Sequence, residues 1–238
     1  MPDIHLHPHH EQHANSPDFL KDIVIGMSDG LTVPFALAAG LSGAIDSTSL
    51  IIIAGLAEIA AGSIAMGLGG YLAGQTEMDH YAAELKREYG EVERLPEKER
   101  EEVREFFEGL GLSSDVQEKA VHELTKDKHL WVKFMMKHEL GLDKPDEKRA
   151  RKSAFNIGTS YIVGGMVPLI PYFFVETTFD GLKISAVITL ICLFIFGYFK
   201  SKMTGVPPFT GAVKVMLIGA LAASAAFTIA RLIEGGGN

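Results

Sequence analysis

Cysteine is almost missing: Cys192 is the only one in 238 residues, and it stands inside an apolar run. A lone thiol excludes a disulfide framework and a thiolate metal site within one chain. A basic excess is missing too. The net charge is −8 and no basic stripe stands out against the acids, which argues against nucleic acid as a partner. The opening MPDIHLHPHHEQH has neither the basic flank nor the apolar core of a secretory signal. Scarcest of all is charge outside one segment. Residues 77–151 hold 20 of the 30 acidic and 15 of the 22 basic side chains, a local balance of −5. The rest of the chain is nearly charge-free in long blocks.

Those blocks define the architecture. A helix that crosses a bilayer needs about 20 mostly apolar residues. Ile23–Gly43 qualifies with one charge, Asp29, and Thr48–Gln75 with one, Glu58. Ser153–Val175 has none, and Leu182–Phe199 has only Lys183 near its start. Pro208–Ile233 carries Lys214 and Arg231 toward its ends. The pattern predicts an all-α, polytopic membrane protein with five transmembrane helices, near 20–43, 48–76, 153–175, 181–200 and 208–233. The competing reading is a soluble protein with five buried helices, but ordinary cores rarely need so many runs this long.

Lysine and arginine in the short loops set the orientation. Loops 44–47 and 176–180 have neither, whereas 200–207 has Lys200 and Lys202 and the 77–151 insertion is rich in both. With five helices, this places the N-terminus and the insertion on the cytosolic side and the C-terminus on the other. The chain then divides into a His-rich cytosolic arm (1–19), helices one and two (20–76), a cytosolic helical insertion (77–151) and helices three to five (152–238). The insertion reads as three helices. Glu77–Tyr89 continues the second membrane helix, with Gly90 loosening it. Pro96 opens a second helix to about Gly109, at a position that tolerates proline. Ser113, Ser114 or Asp115 caps a third, running to about Leu140 before Gly141.

Two acids stand inside the apolar runs. A carboxylate in hydrocarbon costs several kcal/mol, and such residues usually face a bundle interior or a water-filled path. Asp29 shares a helix face with Asp22, seven residues before it, and Met66 follows Glu58 by eight. Carboxylate oxygen and thioether sulfur together suit a borderline divalent metal. Pro34 frees a backbone carbonyl, tolerable where that backbone lines a cavity. The alternative, structural acids and a packing methionine, stands open on spacing alone. The second helix is also rich in small residues, among them Gly62, Gly69 and Gly70, which suits close packing within the chain or across a dimer.

The insertion carries a second acidic pattern. Glu84, Glu88 and Glu91 share a helical face, Glu99 and Glu102 are three apart, and Met135 and Met136 neighbour Glu139. Clustered acids repel unless a cation sits between them. Against this, Arg87, Lys98 and Arg104 are spaced to pair Glu84 and Glu91, Glu102, and Glu101 and Glu108, as on any solvated, ion-paired helix.

The stretches DIVIGMSDGLTVPFALAAGLSGA and LAEIAAGSIAMGLGGYLAGQTE, with the acidic insertion and GTSYIVGGMVPLIPYFF, resemble the vacuolar iron transporter family, plant type. The likeness runs over essentially the whole chain after the arm. It implies a homodimeric, proton-coupled exporter of ferrous iron from cytosol to vacuole, a multi-pass protein of the vacuolar membrane and not an enzyme. It implies no prosthetic group, with Zn2+, Co2+ and Mn2+ as further ions that such a site accepts. By that resemblance Asp29, Glu58 and Met66 line the path. Glu88, Glu91, Glu99, Glu102, Met135, Met136 and Glu139 bind metal in the insertion. Two other readings are a membrane-tethered ferroxidase and a metal sensor. A di-iron centre of the ferritin type needs a Glu-x-x-His on each of two helices, and Glu77…His80 is the only such pair. A sensor that uses its membrane part only as an anchor gains nothing from Asp29 and Glu58.

Overall fold

The computed structural model describes residues 17–235. The first sixteen residues of the His-rich arm, and the last three of the C-terminal tail, lie outside the described residues. Eight α-helices follow in order: α1 Pro17–Ala44, α2 Thr48–Arg94, α3 Pro96–Gly109, α4 Ser114–Leu124, α5 Lys128–His138, α6 Arg149–Leu169, α7 Thr178–Met203 and α8 Pro208–Gly235. A 3-10 turn, Ile170–Phe173, closes α6, and no strand occurs among the described residues. The chain forms two compact units. One comprises the chain up to Gly70 and from Lys152 onward, the other Tyr71–Arg151.

The first unit contains the five helices that are long and apolar enough to cross a membrane, formed by α1, α2, α6 with its 3-10 turn, α7 and α8. Their outer faces decide between membrane and soluble readings. Ile64 on α2 is 71% exposed, Leu221 on α8 71% and Ile233 73%, in rows of similar side chains. Water would penalise each such side chain by roughly 1.5–3 kcal/mol relative to burial, whereas lipid does not. α2 is 47 residues long, about 70 Å, more than twice the hydrocarbon thickness of about 30 Å.

Helix α6 lies against both α1 and α2, and glycine makes this possible. A Cβ at Gly30 of α1 would overlap the Tyr161 carbonyl oxygen of α6, and one at Gly164 of α6 would come 2.9 Å from the Leu31 amide nitrogen. Backbone therefore meets backbone across α1–α6, the close approach that small residues allow in membranes. On the other side, the Tyr161 ring lies over Gly62 of α2, 2.5 Å from where a Cβ would stand. α1 continues unbroken through Pro34, which is buried with its ring against Gly165 of α6. Polar ties fix the far end: Ser42 and Tyr172 hydroxyls at 2.9 Å, Thr178 donating to Asp46 at 3.2 Å, and Ser185 donating to the Pro168 carbonyl at 2.7 Å.

The second unit is built on an apolar core of Val92, Val103, Val121, Trp131, Val132, Met135 and Met136. Gly90 does not loosen α2, which runs on to Arg94, and the Arg94 side chain donates back to the Gly90 carbonyl at 3.1 Å. The third helix expected over 113–140 is two helices, so the unit has four helical segments instead of three. The break falls at Thr125–Asp127. There Asp127 takes an extended backbone, and its carboxylate accepts from the His129 and Leu130 amides at 2.8 and 3.3 Å, an N-cap that starts a new helix. Gly141, at φ +65°, takes the chain out of α5 where a side chain would be strained.

Replacing Gly30 by Leu is expected to destabilise the membrane unit by roughly 1–3 kcal/mol or more through overpacking. Gly40→Ala, whose new Cβ would meet its neighbours only at ordinary contact distances of 3.4 Å and more, is expected to leave it unchanged. Thermal unfolding of the two variants in detergent measures the difference.

Candidate functional site

Two groups of acids stand out, one in each unit. In the membrane unit, Asp29 on α1 is half-buried and makes no hydrogen bond or ion pair among the described residues. Glu58 on α2 accepts a short hydrogen bond from the Tyr161 hydroxyl, while its Oε2 is buried with no partner. Tyr161 links the two acid-bearing helices, because its backbone packs on Gly30, next to Asp29, and its ring crosses Gly62, four residues after Glu58. Met66, one turn beyond Gly62 on α2, is half-buried. Asp22 is the most buried of these acids, at 1% exposure. Ser153 donates to its Oδ1 at 2.9 Å and Asn156 to its Oδ2 at 3.3 Å, both from α6.

Tyr161 and Asp22 were not among the site residues expected from sequence. A tyrosine in an apolar run carries no signal of its own until its helix is docked. Asp22 lies at the edge of its run, where an acid reads as a solvated helix end, although its seven-residue spacing to Asp29 marks the shared face.

In the second unit, three helices bring one carboxylate each to a common point. Oxygens of Glu88 (α2), Glu99 (α3) and Glu139, which caps the C-terminus of α5, lie within 4.8 Å of one another. Glu88 and Glu99 are each only 1% exposed, and Oε2 of Glu88 has no hydrogen-bond partner. Arg87 is the nearest cation, but its guanidinium is 3.6 Å from Glu88 and shared with Glu84 at 2.9 Å and Glu91 at 3.5 Å. Two ionised carboxylates this close repel by about 3 kcal/mol at an effective dielectric constant near 20. Burial pushes Glu99 up to about 7, with the Glu102 and Glu88 charges adding to it. Glu139 is pushed up to about 7 in the same way, by loss of solvent first and then by Glu102 and Glu88. Although Glu139 is exposed as a residue, its carboxylate belongs to the buried group.

The expected ligand set therefore separates into three. Glu88, Glu99 and Glu139 converge. Glu91 and Glu102 stand beside them in ion pairs with Arg87 and Lys98, the latter at 2.7 Å. Met135 and Met136 are each 1% exposed and sit in the apolar core. The outer pairs, including Arg104 with Glu101, fit a solvated, ion-paired face, whereas Glu88 and Glu99 are buried, with Arg87 and Lys98 only partly offsetting their charge. Carboxylates held this way suit a proton or a hard-to-borderline cation. Among the described residues this is the one convergent group of three, and it contains no histidine, unlike the Glu-x-x-His pairs of a ferritin-type di-iron centre.

The family model described as the VIT family matches residues 20–231. The chain belongs to the VIT family. It is similar to "Vacuolar iron transporter 1" of Arabidopsis thaliana, 49% identical over 229 residues that cover 96% of this chain and 92% of that protein. "Vacuolar iron transporter 1" of Eucalyptus grandis is 50% identical over the same 96% and 92%. "Protein CCC1" of Saccharomyces cerevisiae is 38% identical over 227 residues, 91% of this chain and 70% of that protein. The similarity thus runs through both acidic groups.

A carboxyl with a raised pKa keeps its proton longer in the folded than in the unfolded chain. From the ordinary 4.5 up to about 7, each step in pH therefore weakens the metal-free fold at Glu99 and Glu139, and above 7 the whole penalty stands. The protection factors of amides in residues 88–103 of the full-length protein, measured against the intrinsic exchange rate at each pH, are expected to fall over that range. A divalent cation is expected to reverse the change, and Glu99→Gln with Glu139→Gln to remove it.

Proposed function

We propose that this chain is a transporter, not an enzyme, that moves Fe2+ out of the cytosol across the vacuolar membrane in exchange for protons. The observation that carries this is a pair of membrane acids without a counter-charge: Asp29 unpaired, and Glu58 with one buried oxygen unsatisfied. A permanently vacant site of this kind is costly in hydrocarbon, so its natural states are protonated or cation-bound. Exchange between those states is antiport. Met66 adds a soft ligand on the same helix as Glu58, which favours Fe2+ over Mg2+ or Ca2+ and admits Zn2+, Co2+ and Mn2+. The relatives' names supply the substrate and the membrane for this reading.

The lysine and arginine of residues 77–151 and 200–207 support a cytosolic N-terminus and 77–151 unit and a lumenal C-terminus. There the Glu88, Glu99 and Glu139 group, with Glu91 and Glu102 beside it, captures cations and raises their local concentration before entry. Met135 and Met136, in the core just before Glu139 in sequence, are the soft ligands of that set. A homodimer completes the path. Five helices are few to enclose one, and α2 exposes Ala57, Ala60, Ala61, Ala65 and Gly69, a small-residue face suited to close helix contact.

In proteoliposomes, Asp29→Ala is expected to abolish Fe2+ uptake while the protein stays folded, and normal uptake by that variant ends the proposal. Tyr161→Phe, which removes the hydrogen bond to Glu58, is expected to slow uptake about tenfold or more, on the scale of a lost charge-assisted hydrogen bond of about 1.5–3 kcal/mol. Glu99→Gln with Glu139→Gln is expected to raise the iron concentration for half-maximal uptake and leave the maximal rate unchanged. Equal loss of both would merge the two sites into one.

A further inference from the structure

An apolar cleft of about 200 Å3 lies in the membrane unit between the beginning of α1 and the end of α7. Ile23 and Val24 of α1 and Phe196 and Met203 of α7 line it, together with one cation, Lys200. Phe19, also in its wall, and Met203 are 39% and 52% exposed, so the cleft opens on the outer surface of the helices. The transport reading uses none of these residues.

Three lysines stand at these two helix ends: Lys200 in the wall, Lys202 two residues on, and Lys21 beside Leu20 of the lining. None of their ammonium groups has an ion-pair partner among the described residues. Lys183, at the other end of α7, is by contrast paired with Asp180 at 3.1 Å and lies over the Phe179 ring. The carbonyl end of α7 favours cations at 200 and 202, but no helix dipole favours Lys21, near the amino end of α1. The acids nearby do not neutralise them. Asp22 is turned onto Ser153 and Asn156, and Asp18 has an interaction of its own in which none of the three lysines takes part.

We propose that this cleft is a binding site for an anionic membrane lipid. One acyl chain fills the apolar wall, and Lys200, with Lys21 and Lys202, holds the phosphate of the headgroup. Charge complementarity selects the occupant: an apolar slot with Lys200 in its wall, and Lys21 and Lys202 at the same two helix ends, matches a lipid carrying a net negative charge and not a zwitterionic one.

Native mass spectrometry of the full-length protein in neutral detergent, titrated with phosphatidylserine, phosphatidylcholine or inorganic phosphate, tests this. Phosphatidylserine is expected to be retained in preference to phosphatidylcholine, with free phosphate not retained. Lys200→Gln with Lys202→Gln is expected to weaken phosphatidylserine retention by up to roughly thirty-fold, from about 1 kcal/mol per lysine. Val24→Phe, which fills the slot and keeps every charge, is expected to weaken it as well. Equal retention of the two lipids, or undiminished retention by the lysine variant, overturns the proposal. So does lipid binding that appears only after residues 1–16 are removed, since the arm would then be the occupant.

Discussion

A carboxylate taken out of water must find a proton, a cation or several donors, and both units of this protein are arranged around acids that have too few of these. Asp29 has no hydrogen-bond or ion-pair partner among the described residues, Glu58 has one donor for two oxygens, and Glu88 shares a distant guanidinium with two other glutamates. The second unit could have relieved the strain with one more basic residue, as its outer faces do with Lys98 and Arg104. It leaves the convergent point open instead. Asp22 shows the other solution in the same fold: two donors from α6 satisfy it, so it is suited to a fixed role or to passing protons.

Helix α6 is what makes the membrane acids a site and not two isolated defects. Backbone contact at Gly30 and Gly164 brings it against α1, and the same turn of α6 sends the Tyr161 ring across Gly62 to Glu58. Sequence, packing and chemistry are coupled here through hydrogen atoms in place of side chains. A methyl group at Gly30 or Gly62 would separate the helices and withdraw the hydroxyl from the carboxylate.

Much of this was legible in the sequence. The five spans follow from the length of the apolar runs, and Asp29 and Glu58 stand out because charge in such runs is expensive. The turn at Gly109–Gly111 and the stop at Gly141 follow from residues that tolerate positive φ. Other features depend on docking. The continuity of α2 past Gly90 rests on tertiary support that overrides glycine's low helix propensity, and the break before Asp127 on a local cap that the apolar periodicity hid. Spacing grouped Glu84, Glu88 and Glu91 on one face, but only burial separates Glu88 from its ion-paired neighbours. Met135 and Met136, four and three residues before Glu139, are also buried in the apolar core, which their spacing does not show.

In the proposed transport cycle the membrane carboxylates alternate between proton and metal. The most direct test is simultaneous recording of Fe2+ entry and internal pH in proteoliposomes of the wild-type protein, with no other ion gradient. Exchange predicts that protons leave as iron enters, in a fixed ratio, and that a proton gradient imposed in the same direction accelerates uptake. Iron entry at full rate with internal pH unmoved would contradict it, and would make the acids part of a channel.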